Sequence, residues 1–130
     1  MISVDTNILV RAFLGDDEIQ SSKAQKFIEI ASSKKKLFIS SYALLEFVWV
    51  LKVKKFTREE IYDAIINLID AEGITIGQRE VVLDAAEKYI KGKADFGDYM
   101  IMSEGEKRGA HEIKTFDKAI LDQHDHASTP

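Results

Sequence analysis

Short apolar clusters alternate with longer stretches of helical periodicity along almost the whole chain, and this alternation constrains the fold more than any other feature. Ile2 and Val4, Leu37-Phe38-Ile39, Ile74-Thr75-Ile76 and His111–Lys114 have the length and composition of short strands. Between them, apolar residues recur at helical spacing. Ile8, Leu9, Ala12 and Phe13 mark one helix, Ala24, Phe27, Ile28 and Ala31 a second within Glu18–Ala31, and Ile61, Ala64, Ile65, Leu68 and Ile69 another within Arg58–Ala71. Thr57, with Glu60 three residues on, is a capping-box signature for Arg58–Ala71, and Gly73 stops that helix. Glu80–Lys91, Gly97–Arg108 and Asp117–Gln123 complete the helices, and no internal repeat or linker interrupts the series. Strands alternating with helices predict an α/β sandwich with a mostly parallel central sheet of four to five strands. One domain is expected over residues 1–130, with a loose tail from about His124 in which His124-Asp125-His126 has no assigned role.

At 130 residues and 45% hydrophobic, the chain can bury one sizeable core. The absence of cysteine excludes a disulfide framework and a thiolate zinc site. No apolar stretch approaches the roughly 20 residues of a membrane span. The start, Met1-Ile2-Ser3-Val4-Asp5, lacks the basic residues and apolar run of a signal peptide. A soluble protein of the cytoplasm is expected, with no membrane partner. A net charge of -4 argues against a generally basic nucleic-acid binder. Yet Lys34, Lys35, Lys36, Lys52, Lys54, Lys55 and Arg58 fall in a stretch whose only acid is Glu46, which permits contact with a polyanion.

Glu46 is the one charge in the run Tyr42–Leu51. The run is long for a strand, and Ser40 or Ser41 can cap a helix there, so a helix over Ser41–Lys55 is predicted. At roughly 100° per residue, Glu46 shares its face with Tyr42, Ala43, Trp49, Val50 and Val53. That face reads as apolar, with Tyr42 and Trp49 in the core rather than stacked on bases. A carboxylate buried without a partner costs several kcal/mol, so Glu46 is expected to be paired, protonated or bound to a cation.

In a parallel α/β sheet, ligands bind beyond the carboxyl ends of the strands. Asp5 ends the first strand, Asp117 follows the fourth, and Asp95 and Asp98 flank the start of the helix after Lys93. Each aspartate, taken singly, also suits a helix N-terminus: Asp5 or Asn7 on the first helix, Asp95 with Asp98 on the sixth, Asp117 on the last. Capping cannot explain a carboxylate in mid-helix, whereas a cation shared between Glu46 and the aspartates can. Clustered carboxylates with no cysteine and little histidine select a hard divalent ion, Mg²⁺ or Mn²⁺.

Four segments then carry a resemblance. Val4-Asp5-Thr6-Asn7-Ile8-Leu9-Val10-Arg11, the Ile39–Leu51 run with Glu46 and Trp49, Asp95-Phe96-Gly97-Asp98-Tyr99-Met100-Ile101, and Thr115-Phe116-Asp117 resemble the successive motifs of PIN-domain ribonucleases. The similarity is greatest to the VapC toxins of type II toxin-antitoxin pairs, and it runs in order from about residue 2 to residue 121. It implies a metal-dependent endoribonuclease whose Mg²⁺ or Mn²⁺ site is formed by Asp5, Glu46, Asp98 and Asp117. Asp98 is preferred to Asp95 as ligand because it directly precedes Tyr99-Met100-Ile101. The resemblance further implies an RNA substrate, single-stranded or looped, a homodimer, and a VapB-like antitoxin that blocks the site. Thr6, Asn7 and Thr115 are expected to support the carboxylates by hydrogen bonds. Arg11 suits a phosphate, an antitoxin carboxylate or a surface salt bridge.

Competing readings fall on positions open to inspection. A receiver domain would want a phosphoacceptor aspartate on the third strand, where Ile74-Thr75-Ile76-Gly77 has none. A haloacid-dehalogenase-like phosphatase would place its second aspartate where Asn7 stands. A non-catalytic binding module that keeps the fold and its acids is the remaining alternative.

Overall fold

Backbone hydrogen bonds join β1 (Ile2–Ser3), β2 (Leu37–Ile39) and β3 (Ile74–Ile76) into a parallel sheet in that order, with Ile2 opposite Leu37 and Leu37 opposite Ile74. This is a computed structural model describing all of Met1–Pro130, and it divides into two units, Met1–Arg79 and Glu80–Pro130. In the first unit each crossover carries two helices. α1 (Thr6–Leu14) and α2 (Glu18–Ser33) lead from β1 to β2, and α3 (Ser41–Val53) and α4 (Arg58–Asp70) lead from β2 to β3. The parallel pairing requires such long connections, because a tight turn cannot return a strand in the same direction.

The helix boundaries follow local chemistry. Asp17, Ser40 and Thr57 accept N-terminal amides of α2, α3 and α4. Thr57 and Glu60 form the anticipated capping box. α1 ends at Gly15, whose φ of 64° is left-handed. Gly73, at φ 78°, is required more strictly, since a Cβ there would lie 1.8 Å from the Ser32 carbonyl oxygen.

The core of this unit is built from Leu37 and Ile39 of β2, Leu44, Phe47, Val48 and Leu51 of α3, and Ile61, Ile65 and Ile69 of α4. Phe13 of α1 meets the Phe47 ring edge-on, with centroids 5.5 Å apart, and lies 5.6 Å from that of Phe56. Here the expectation for α3 is corrected. Its buried stripe is Ala43, Leu44, Phe47, Val48 and Leu51, so Glu46 faces outward and is exposed. Its neighbours on that outward stripe are exposed too: Tyr42 by 76%, Trp49 by 64% and Val53 by 55%. Both stripes of this helix are apolar, so periodicity alone does not choose between them, and the single charge turns its own stripe to solvent.

The second unit holds α5 (Arg79–Lys91, beginning at the boundary), α6 (Phe96–Lys107), β4 (Ile113–Lys114), α7 (Lys118–Gln123) and β5 (Ala127–Ser128). β4 and β5 pair in parallel, with Ile113 opposite Ala127. The five strands therefore bond as ladders of three and two, not as one ladder, and the fourth strand is only the last half of His111–Lys114. The tail from His124 is corrected as well. The Ile113 and Thr115 amides donate to the carbonyls of His126 and Ser128, and the His124 ring stands edge-on to Tyr99 at 5.9 Å, so the segment is held in place. Val82, Ala85, Ala86, Tyr89, Phe96, Tyr99, Met102 and Ile120 are among the buried apolar residues of the unit. No helix is long and apolar enough to cross a membrane.

Candidate active site

Asp5 follows β1 by two residues and caps α1, its Oδ1 accepting the Ile8 amide at 3.3 Å. The next residue, Thr6, donates its hydroxyl to Glu46 Oε2 at 2.8 Å. This bond fastens the first turn of α1 to α3, where the two helices pack. Asp5 and Glu46 are thereby held on the same side of the first unit, beyond the carboxyl ends of β1 and β2. Asn7, the adjacent candidate, is exposed. Arg11 has its guanidinium 3.2 Å from Asp16 Oδ1, so of its three anticipated roles the structure displays the surface salt bridge.

In the second unit a different set of acids is gathered. Asp98 lies in the first turn of α6, and its Oδ2 accepts the backbone amide of Asp95 at 3.2 Å. Asp117 caps α7 by accepting the Ala119 amide at 2.8 Å, while its own amide donates to Thr115 Oγ1 at 2.9 Å. Thr115 thus fixes the backbone of Asp117 rather than its carboxylate. The Asp117 carboxylate is near enough for its charge to act on Asp98. Partial burial, opposed by the Asp95 amide and reinforced by the charges of Asp117 and Asp95, holds the Asp98 carboxyl above its usual range.

A residue outside the sequence motifs' acids sets this second group. Tyr99 is fully buried, and its hydroxyl accepts the Ala94 amide at 3.2 Å and lies 3.3 Å from Gln123 Oε1. Gln123 Oε1 also accepts the Lys93 amide at 3.0 Å. The loop that delivers Asp95 and Asp98 is therefore tied to the end of the helix that Asp117 begins. A tyrosine among apolar neighbours looks like ordinary core in a sequence, and Gln123 carries no local signal of this role.

The donor set suits a hard cation. Every candidate ligand is a carboxylate, the charged neighbours that raise Asp98 are both acids, and a divalent ion would reverse that repulsion. Backbone or hydroxyl donors hold one oxygen each of Asp5, Glu46, Asp98 and Asp117, which leaves the second oxygen of each for other partners. Neither unit by itself gathers three or more histidine, aspartate or glutamate side chains close enough to hold a metal.

A VapC ribonuclease of Aquifex aeolicus (strain VF5) is 25% identical over 114 residues, which cover 87% of this chain and 84% of the relative. No solved structure matches significantly. The model of the PIN domain family matches residues 2–126, and the chain belongs to that family.

Proposed function

We propose that this protein is a divalent-metal-dependent endoribonuclease, the toxin of a VapBC-type toxin-antitoxin pair, acting as one PIN domain over the whole chain. The observation that carries the proposal is that Asp98, in the first turn of α6, has only acids among the charges acting on it, Asp117 at the start of α7 and Asp95. A nuclease of this family is the natural use for such acids, and the relative from Aquifex aeolicus is named a VapC ribonuclease. A VapB-like antitoxin, a homodimer and a cytoplasmic location belong to the same proposal.

Asp5, Glu46, Asp98 and Asp117 would hold the cation, Mg²⁺ or Mn²⁺. When bound, it supplies a water of lowered pKa and neutralises charge at the phosphodiester. The chain's own contribution is orientation. Thr6 fixes the Glu46 carboxylate, the Ile8 and Ala119 amides fix Asp5 and Asp117, and the Asp95 amide fixes Asp98. Burial and the neighbouring acids hold the Asp98 carboxyl above its usual range, and a bound cation would lower it. Asp95 supports through its backbone, and Thr115 through the start of α7.

The test is cleavage of a mixed cellular RNA pool by antitoxin-free protein in Mg²⁺ or Mn²⁺, with chelator and Asp98→Asn as paired controls. Discrete cuts that disappear in both controls are expected. Cutting that survives Asp98→Asn refutes the site, and a protein that binds metal but never cuts is the non-catalytic binding module.

A further inference from the structure

We infer that Tyr99 and Gln123 are positioning residues of the cation site: they lock the loop before α6 onto the far end of α7, and so set where Asp98 stands relative to Asp117. The inference rests on the nuclease reading above, in which both acids hold the cation. Three successive backbone amides carry it. Lys93 donates to Gln123 Oε1 at 3.0 Å, Ala94 to Tyr99 Oη at 3.2 Å, and Asp95 to Asp98 Oδ2 at 3.2 Å. The Tyr99 hydroxyl in turn donates to Gln123 Oε1 at 3.3 Å, which joins the first two bonds into one network. Gln123 thus receives two donors on one atom, which only its carbonyl oxygen can do. Gly92 shows how closely the parts are fitted, because a Cβ there would collide with the Tyr99 hydroxyl and stand 2.9 Å from Gln123 Oε1.

The network reaches both acids. On one side the next amide of the loop, that of Asp95, leads to the Asp98 carboxylate. On the other, Gln123 is the last residue of α7, a helix of six residues and about 9 Å that begins directly after Asp117. So short a helix has little stability of its own, and its direction depends on what holds its ends. Thr115 Oγ1 holds the backbone at the Asp117 end, and the Lys93–Tyr99–Gln123 network holds the other. Gln123 is exposed, where water competes for each hydrogen bond and the gain in stability is small. Directional bonds at both ends fix orientation instead, and carboxylates a fraction of an ångström out of place lose affinity for a shared ion.

Mn²⁺ affinity, read by electron paramagnetic resonance, tests the inference on the wild type, Gln123→Leu, Gln123→Glu and Tyr99→Phe, with Asp98→Asn as the control that loses binding. Gln123→Leu and Tyr99→Phe should each weaken Mn²⁺ binding roughly tenfold, and the two together no more than either alone, because they open one network. Gln123→Glu keeps the accepting oxygen and should recover most of the loss. In metal-free protein the Lys93 amide should exchange faster in Gln123→Leu and the Ala94 amide faster in Tyr99→Phe, while Gln123→Leu melts with the parent. Full Mn²⁺ affinity in Gln123→Leu, beside lost binding in Asp98→Asn, overturns the inference and leaves the cation site standing. A loss that follows a lowered melting temperature and is not recovered by Gln123→Glu also overturns it, and makes the pair a support of the fold alone. A wild-type protein that binds no Mn²⁺ removes both the inference and the metal reading beneath it.

Discussion

Thr6 and Glu46 are 40 residues apart in the chain and 2.8 Å apart in space, one hydroxyl joining the first turn of α1 to the middle of α3. The bond ends on a charged acceptor, which strengthens it, but Glu46 is exposed, which weakens it. Thr6→Val should therefore cost about 1 kcal/mol or less in stability, measured by denaturant unfolding. Its effect on RNA cleavage should be larger, because Glu46 loses its orientation, and Thr6→Ser should restore both.

Asp98 predicts an inverted pH and metal dependence. Its folded-state pKa lies above the usual 3.8, so the folded metal-free protein holds that proton more tightly than the unfolded chain does. This contribution to stability is complete below the ordinary carboxylate range and is lost as pH rises through the raised value. In chelator at neutral pH, Asp98→Asn should melt above the parent, and the difference should shrink on acidification. In saturating Mn²⁺ the order should reverse, because the parent alone gains from the ion.

Lys88 governs the opposite case. Its ammonium pairs with Asp84 and lies 3.1 Å from Glu106 and 3.4 Å from Ser103 Oγ. Burial, the largest single influence, opposes the charge on both Lys88 and Asp84, yet their mutual hydrogen bond and attraction, together with Ser103 at Asp84 and Glu106 at Lys88, outweigh it, raising Lys88 and lowering Asp84. The lowered acid contributes stability above its unfolded pKa, and this is lost as pH falls through the folded value. Lys88→Met should cost about 1 kcal/mol at neutral pH, after allowance for the partly exposed acids, and less below pH 4, as followed by thermal melts across pH.

Two glycines separate backbone strain from steric collision. Gly15 and Gly73 both have left-handed φ, but a Cβ at Gly15 meets nothing within 4 Å while one at Gly73 meets the Ser32 backbone. Gly15→Ala should cost about 1 kcal/mol, the conformational term alone. Gly73→Ala should cost roughly 3 kcal/mol or more, because the α4–β3 turn must move off α2. Chemical denaturation of the pair measures the difference.

The elements with local chemical signatures were legible in the chain. The Thr57–Glu60 box, the Asp5 and Asp117 caps and the apolar triplets of β2 and β3 are all short-range patterns, and each is found where its residues stand. β5 was not legible, since Ala127-Ser128 has little strand propensity and exists through its ladder with β4. The outward face of α3 was misread because Leu44, Phe47, Val48 and Leu51 form a second apolar stripe opposite the first. Of the candidate site, the acids could be named from motif order. Their supports, Thr6 on Glu46 and Tyr99 on Gln123, join residues 40 and 24 apart, and no periodicity reports such contacts.

The proposed function requires that Asp5, Glu46, Asp98 and Asp117 serve the same divalent ion. Mn²⁺ binding, followed by electron paramagnetic resonance on the wild type, Glu46→Gln and Asp98→Asn, tests it most directly. A shared site predicts that either substitution alone abolishes high-affinity binding or weakens it at least tenfold. Undiminished Mn²⁺ binding in Glu46→Gln, with loss only in Asp98→Asn, would contradict it.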